Sequence, residues 1–456
     1  MLCRQLEYQS LKAVLQHMDA NVRFQISLHM PSIRSVEKVV PLRIESLFLE
    51  DYVTEVNETS YKIGIIRHYP EGNAPEKVKK ENRWGRHCDY DQFGFPDYSG
   101  DKVLLSGDIS FKVWFETTFD TEEDERTLRE NLRVREKAQE ILTELKSKGM
   151  SVDDHIKSLE SIPDDDFSEE RNRIIDALEY DFEDIPYRIE EDKLNLVPFD
   201  CRRNNTKPPF KYYVQLTITK GGSKQIQRFE YTKKLYEAAK YLNEVLFGSR
   251  TMPIQIAQLD CNSCSFAICR LPIGFRMQVH TVHDDVHMVT HNNFPLLVGN
   301  SDSLHTLWIN CNSRYIPFQS QIMQSAKRLV IADVTRHELQ SLLIDISDLS
   351  NLEIGIVSQK QSVSAEMHVQ LIQGWLSRDR PVGAVCWIEM ENKKTIKEVL
   401  RLVRTEYINT EQTKRSVIIR TDKFAKVEIF QDMFVREEPG LEDIRGSVLK
   451  IRIVKA

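Results

Sequence analysis

The stretch Arg328-Leu329-Val330-Ile331-Ala332-Asp333-Val334, followed by Leu352-Glu353-Ile354-Gly355-Ile356-Val357, sets the pattern for the second half of the chain. Both runs read as strands, and a helical segment at His337–Leu343 separates them. Working outward, similar runs begin near Pro253, Phe275, His305 and Gly383, so the six starts lie 22, 30, 23, 24 and 31 residues apart. Further helical segments fall at Phe318–Gln324, Ala365–Leu376 and Thr395–Val403. One strand alternating with one helix at a period of roughly 20–30 residues is the pattern of a leucine-rich-repeat-like stack. Such units cannot bury their apolar faces alone, so they stack and present a strand surface. The L-x-x-L-x-L wording is poorly kept and the period varies, which leaves a conventional α/β sheet as the alternative.

Both flanks of this region are regular. Tyr212–Thr219 and Gln225–Tyr231 read as strands joined by Gly221-Gly222, a hairpin turn signal. A helix follows from Thr232, with Leu235, Ala238, Ala239, Leu242, Val245 and Leu246 on one face and Gly248 as its stop. The chain finishes with strands at Ser416–Thr421, Lys426–Gln431 and Val448–Val454, read as a terminal cap or small sheet.

The first 40 residues read as two or three short helices. Ser10 can cap a helix that places Leu11, Val14, Leu15 and Met18 on one face, and Pro31-Ser32 opens another with Ile33, Val36, Val39 and Val40. From Pro41 to Phe119 the period moves toward two, with strands at Arg43–Leu49, Ser60–Ile66 and Asp108–Phe115 around a long polar, aromatic loop. Thr121 to Lys148 is a strong helix: Thr121 and Asp124 form a capping pattern, acids crowd the first turn and Gly149 ends it. Ser151–Asp192 is acidic with short helical pieces and reads as a solvated arm or linker.

Charge divides along the same lines. The 456 residues carry a formal net charge of -7, yet Asp120–Asp192 alone holds 25 Asp and Glu against 11 Lys and Arg. That segment is an acidic arm, and the remainder is mildly basic. A pI near 6.0 argues against bulk attraction to nucleic acid, and no window approaches the ~18 apolar residues of a membrane span. The start has no apolar leader segment, so the eight Cys are expected as reduced thiols in the cytoplasm or nucleus, without a disulfide framework.

Residue constellations with chemistry are few. Cys261, Cys264, Cys269, His280, His283, His287 and His291 lie within 31 residues and have the donor types zinc prefers. The surrounding pattern is strand-like and no helix carries paired His, so buried Cys with surface His is the plainer reading. Asp89-Tyr90-Asp91-Gln92-Phe93-Gly94 with Asp97 resembles a calcium loop, but Phe93 and Gly100 occupy the fifth and twelfth positions, where oxygen ligands belong. Asp side chains bonding the backbone of a tight turn account for it. The aromatics Trp84, Tyr90, Phe93, Phe95 and Tyr98 are mixed with Lys77, Lys79, Lys80, Arg83 and Arg86, in a loop that reads as a protein contact or a self-packed element. No G-x-S-x-G, H-E-x-x-H, P-loop or G-x-G-x-x-G occurs, and no catalytic residue, metal site or cofactor is assigned.

Tyr8-Gln9-Ser10-Leu11-Lys12-Ala13-Val14-Leu15-Gln16-His17-Met18-Asp19-Ala20-Asn21-Val22-Arg23 resembles the N-terminus of the nematode F-box C family. The resemblance continues through Pro31–Lys38, Pro41–Ile44, Asp89–Tyr98, Tyr231–Leu235, Leu246-Phe247-Gly248, Trp375 and Arg380–Gly383. In that family a degenerate F-box-like segment precedes a long domain of unknown function. The resemblance implies a recognition protein that delivers targets to a cullin-type ubiquitin ligase through the F-box-binding adaptor subunit. Because F-box helices dock by burying apolar residues, it points to Leu11, Val14, Leu15 and Ile26 as partner-binding positions. The Leu-Pro opening and closing Trp of an ordinary F-box are missing here.

Together these readings give an α+β protein: a degenerate F-box-like helical segment at 1–40, a β-rich region at 41–119, an acidic helical arm at 120–192 and a strand–helix, leucine-rich-repeat-like recognition body at 193–456. The expected function is non-enzymatic protein recognition of an unknown protein target, with no membrane and no nucleic acid as partner. The alternatives are a scaffold unconnected to ubiquitination and a zinc-binding module or enzyme using the Cys261–His291 cluster.

Overall fold

The six strand-like runs from Pro253 to Gly383 form strands that start within two residues of the expected positions. The computed structural model describes residues 8–456 except 71, 73, 112–119, 164–167, 181–183, 262–267, 286–290, 300–303, 311–319, 335–341, 343–345, 347, 359–362, 391, 408–409, 414, 421–424 and 436–444. The helical segment expected at His337–Leu343 falls almost entirely outside the described residues, whereas that at Phe318–Gln324 lies outside them only at 318–319 and is helical over Gln321–Ser325.

In chain order, helices α1 (Tyr8–Gln16), α2 (Ala20–His29) and α3 (Arg34–Val39) precede strands β1 (Arg43–Glu50), β2 (Val53–Val56) and β3 (Thr59–His68). Helix α4 (Glu76–Asn82) and the short strands β4 (Asp89–Tyr90), β5 (Pro96–Asp97) and β6 (Ile109–Ser110) come next. Helices α5 (Glu122–Lys148), α6 (Val152–Glu160), α7 (Ser168–Tyr180) and α8 (Ile185–Asn204) lead to β7 (Lys211–Lys220), β8 (Ser223–Glu230) and α9 (Leu235–Phe247). Then follow β9 (Ile254–Cys261), β10 (Ile268–Cys269), β11 (Met277–Asp285), α10 (Phe294–Val298), β12 (Thr306–Asn310) and α11 (Gln321–Ser325). After β13 (Arg328–Val334) and β14 (Glu353–Ser358) come α12 (Ala365–Leu376), β15 (Val385–Met390) and α13 (Lys393–Glu406). The last strands are β16 (Thr410–Gln412), β17 (Ser416–Arg420), β18 (Ala425–Val435) and β19 (Arg445–Lys455).

The chain divides into two compact units, Met1–Ser60 with Leu104–Lys112 and Leu242–Ala456, and Tyr61–Val103 with Val113–Tyr241. In the first unit β9, β11, β12, β13, β14 and β15 lie side by side in sequence order, each parallel to the next. A doubly wound sheet reverses at a switch point. None occurs along these strands, and sequential parallel order is what stacked strand–helix repeats produce. Strand β1 extends the same sheet, pairing in parallel with β9, because Leu47 and Leu49 alternate in phase with Leu259 and Cys261. At the other end β19 pairs antiparallel with β15, and β18, β17 and β16 complete an antiparallel meander. The fold is therefore α+β with a mixed sheet.

In the second unit β3, β7 and β8 are neighbours in that order. The β7–β8 hairpin turns at Gly221 and Gly222 with φ of 51° and 80°, the doubly positive backbone of a type I′ turn that favours glycine. Helix α5 has the full capping box, Thr121 accepting from the Asp124 N–H while Asp124 accepts from Thr121.

Residues 151–192 differ from a solvated arm. Val134, Ala138 and Leu142 of α5 pack with Ile156 of α6, Ile175 and Leu178 of α7 and Ile185 of α8 in one buried cluster. The acidic composition hides this because a few apolar residues, spaced three and four apart, suffice to line the inner face of each helix. Arg135 of α5 pairs with the buried Asp192 of α8 at 2.5 Å, so part of the negative charge is neutralised within the bundle. Among the described residues no helix is long and apolar enough to cross a membrane.

Candidate recognition surface

A strand in the parallel sheet sends alternate side chains to opposite faces. One face carries the row Leu259, Val282, Leu307, Leu329, Ile354 and Cys386, all at most 1% exposed. Helix α13 packs against β15 and β17–β19 and buries Ile396, Val399, Leu400 and Val403.

The opposite face is built differently. Its central row runs Asp260, His283, Trp308, Val330, Gly355 and Trp387 across neighbouring strands. Trp308, Val330, Ala332, Val357, Trp387 and Val448 form a buried cluster composed of strand residues alone. The His283 ring stacks on Trp308 with centroids 5.4 Å apart, and its Nδ1 lies 3.9 Å from Asp260 Oδ1. Trp387 Nε1 donates to Glu353 Oε1 at 2.9 Å, Arg328 pairs with Glu353 at 3.1 Å, and the Arg328 guanidinium lies 5.9 Å from the Trp387 ring. Gly355 is required here, because a Cβ at that position would overlap the Trp387 indole.

Further along the same face, Arg452 pairs with Glu428 and sits 4.9 Å from the Phe430 ring, while Lys450 lies 3.4 Å from Asp432. The result is a packed aromatic strip bordered by half-exposed charges of both signs. Arg328 and Glu353 remain 30% and 36% exposed, whereas Trp387 is 3% exposed. Aromatic and Arg side chains held rigidly beside pairable charges are the composition of protein-contact surfaces.

The helical head carries a second surface. Leu15 is 1% exposed and belongs to the core, Leu11 and Ile26 are half-buried, and Val14 is 41% exposed. Tyr8, Val22, Leu28 and Met30 are also exposed apolar side chains of α1, α2 and the turn after them. The head is anchored from below: Arg23, 1% exposed, donates to the Glu37 carboxylate and to the carbonyls of Glu37, Val40 and Pro41. Arg250 approaches the same carboxylate at 2.9 Å. Burial lowers the pKa of both arginines, and Glu37 opposes the change.

The cysteine and histidine positions are dispersed. Cys261 and Cys269 are buried on different strands, His280 stacks on His305, His283 on Trp308 and His291 lies against Phe111. Cys264 and His287 lie outside the described residues, and among the described residues no three His, Cys, Asp or Glu are placed to hold a metal. In the Asp89–Asp97 loop, Asp91 Oδ1 accepts from the N–H groups of Phe93, Gly94 and Phe95, the expected turn. Asp89 accepts from Tyr231 Oη and from the Leu235 N–H at the start of α9, and Asp97 pairs with Lys234. These carboxylates are consumed in structure. Trp84 is 52% exposed, with Lys62 and Lys224 Nζ at 5.7 and 4.2 Å from its ring.

Sequence reasoning missed Trp308, Arg328, Glu353 and Trp387 as surface-forming residues. The available signal was their i, i+2 spacing within the strand runs, but the parallel strands are apolar on both faces and the alternation is faint. No curated protein and no solved structure matches the chain. Residues 234–392, from the start of α9 past the end of β15, match the family described as a domain of unknown function, DUF3557.

Proposed function

We propose that the chain is a non-enzymatic protein-recognition protein that engages a protein target through the strand face bearing Trp308, Arg328, Glu353, Trp387, Glu428 and Arg452. The observation that carries this reading is the cluster of strand residues on that face, where the buried Trp387 lies beside Arg328 and Glu353 and the Arg452–Glu428 pair sits beside Phe430, fixing charges of both signs. A surface of that kind selects a partner by charge register. Reversing two of its charges with Glu353→Arg and Arg452→Glu, then comparing affinity-purified partners of variant and wild type, tests it. Loss of a defined subset of partners is expected; identical partner sets defeat the proposal.

The exposed apolar side chains of the head support coupling to a cullin-type ligase through its F-box-binding adaptor, in the cytoplasm or nucleus. Among the four positions the resemblance indicates, Val14 is the informative one, since Leu15 is core and its replacement would disturb folding. Adaptor should co-purify with the intact chain and be lost on Val14→Asp with an unchanged melting temperature. Failure of the wild-type chain to retain adaptor leaves a recognition protein unconnected to ubiquitination.

A further inference from the structure

Among the described residues strand β8 is the last strand of its sheet, and every residue from Ser223 to Glu230 is exposed. Ile226 and Phe229 are 43% and 51% exposed, an apolar content that proteins usually keep off a free edge. The pairing Lys220↔Ser223 closes the two-residue turn, so it is a hydrogen-bonded pair, and the pattern alternates from there. Ser223, Gln225, Gln227 and Phe229 therefore direct their backbone groups to β7. Lys224, Ile226, Arg228 and Glu230 direct theirs to the open edge.

We propose that this edge pairs with β8 of a second copy of the chain, making an antiparallel, two-fold symmetric dimer centred on Gln227. Three constraints converge on that register. A two-fold axis normal to the sheet keeps each copy's faces aligned, so an outward-bonding residue must oppose another outward-bonding residue. Centring on Ile226 places Lys224 against Arg228 twice, and centring on Arg228 places two arginines on the axis; like charges directly opposed destabilise a sheet. Centring on Gln227 sets Lys224 against Glu230 at both ends and Ile226 against the Arg228 stem, with about eight backbone hydrogen bonds across the junction. Lys224 is already held beside Trp84 and the Arg83 carbonyl, which limits the freedom it would lose on pairing.

The test uses the full chain and its mass in solution as a function of concentration. Wild type should dimerise. Ile226→Pro removes an outward N–H and leaves the β7 pairing in place, so it should give a monomer with unchanged circular dichroism. Lys224→Glu should weaken the dimer, and combining it with Glu230→Lys should restore it. Gln227→Cys places two thiols opposite each other across a non-hydrogen-bonded pair, within disulfide reach, and should crosslink on mild oxidation; Gln225→Cys, which faces Phe229, should not. A wild-type monomer at all concentrations overturns the proposal, as does a dimer insensitive to Ile226→Pro or one crosslinked by Gln225→Cys and not by Gln227→Cys.

Discussion

Trp387 lies across Gly355 of the adjacent strand, with its indole occupying the space a side chain at 355 would need, while its Nε1 donates to Glu353 two residues before that glycine. The contact ties the aromatic strip to the charged border of the face: the backbone at 355 positions the ring, and the ring orients the carboxylate.

Gly355→Ala should accordingly be costly. The added methyl overlaps a ring that is itself 3% exposed, so Trp387 must leave its position and release Glu353. Overpacking of this kind costs about 1–3 kcal/mol. Chemical denaturation followed by tryptophan fluorescence should show a lower midpoint, together with an altered native spectrum; a wild-type midpoint would contradict the packing described.

Glu37 neutralises two guanidinium groups, those of Arg23 and Arg250, each 2.9 Å away. Glu37→Gln keeps the shape and removes the charge, leaving two buried cations without compensation. A loss of about 3–5 kcal/mol is expected, measured by urea unfolding of the full chain. Mutating Arg126, which is 76% exposed and 3.8 Å from Glu123, should change stability by less than about 0.5 kcal/mol.

Burial, reinforced by the Arg250 charge, lowers the Lys38 ammonium to about 8 despite the opposing carboxylates of Glu37 and Glu244. An unfolded lysine holds its proton to higher pH, near 10.4. Between these values the unfolded chain binds more protons than the folded one, so this group makes the protein more stable as pH rises through the window, by at most about 3 kcal/mol. Below about pH 8 the penalty of burying the charge is fully present. The stability of wild type relative to Lys38→Met should rise with pH along that slope; a pH-independent difference would show that Lys38 titrates normally.

Cys386 sits 1% exposed in the apolar row of the sheet, and burial pushes its thiol up to about 12. Burial also raises Cys88. Neither should react with a thiol-specific reagent at mildly alkaline pH while the protein is folded, because the thiolate is the reactive form. Mass spectrometric mapping after brief labelling should find both unmodified, and both modified once urea is added.

Much of the local structure is legible in the sequence. The Thr121–Asp124 pair predicts the start of α5, Gly221-Gly222 predicts the β7–β8 turn, and the strand starts from Pro253 to Gly383 are matched within two residues. Each is a short-range signal, decided by side-chain chemistry within one turn or one strand. The acidic helices between Ser151 and Asp192 are harder to read as a packed bundle, since the buried cluster of Ile156, Ile175, Leu178 and Ile185 is completed only when α5–α8 associate.

The sequence by itself determined the alternation of strand and helix, the hairpin, the capped helix and the separation of acidic from basic segments, because periodicity and turn chemistry act between near neighbours. Only the tertiary structure decided which strand residues share the face with Trp308 and Trp387, that Asp89 bonds the Leu235 N–H 146 residues away, and that Glu37 is shared with Arg250. The reason is physical. A strand's two faces are equivalent until helices cover one of them, and a buried charge acquires its partner only when distant segments are brought together.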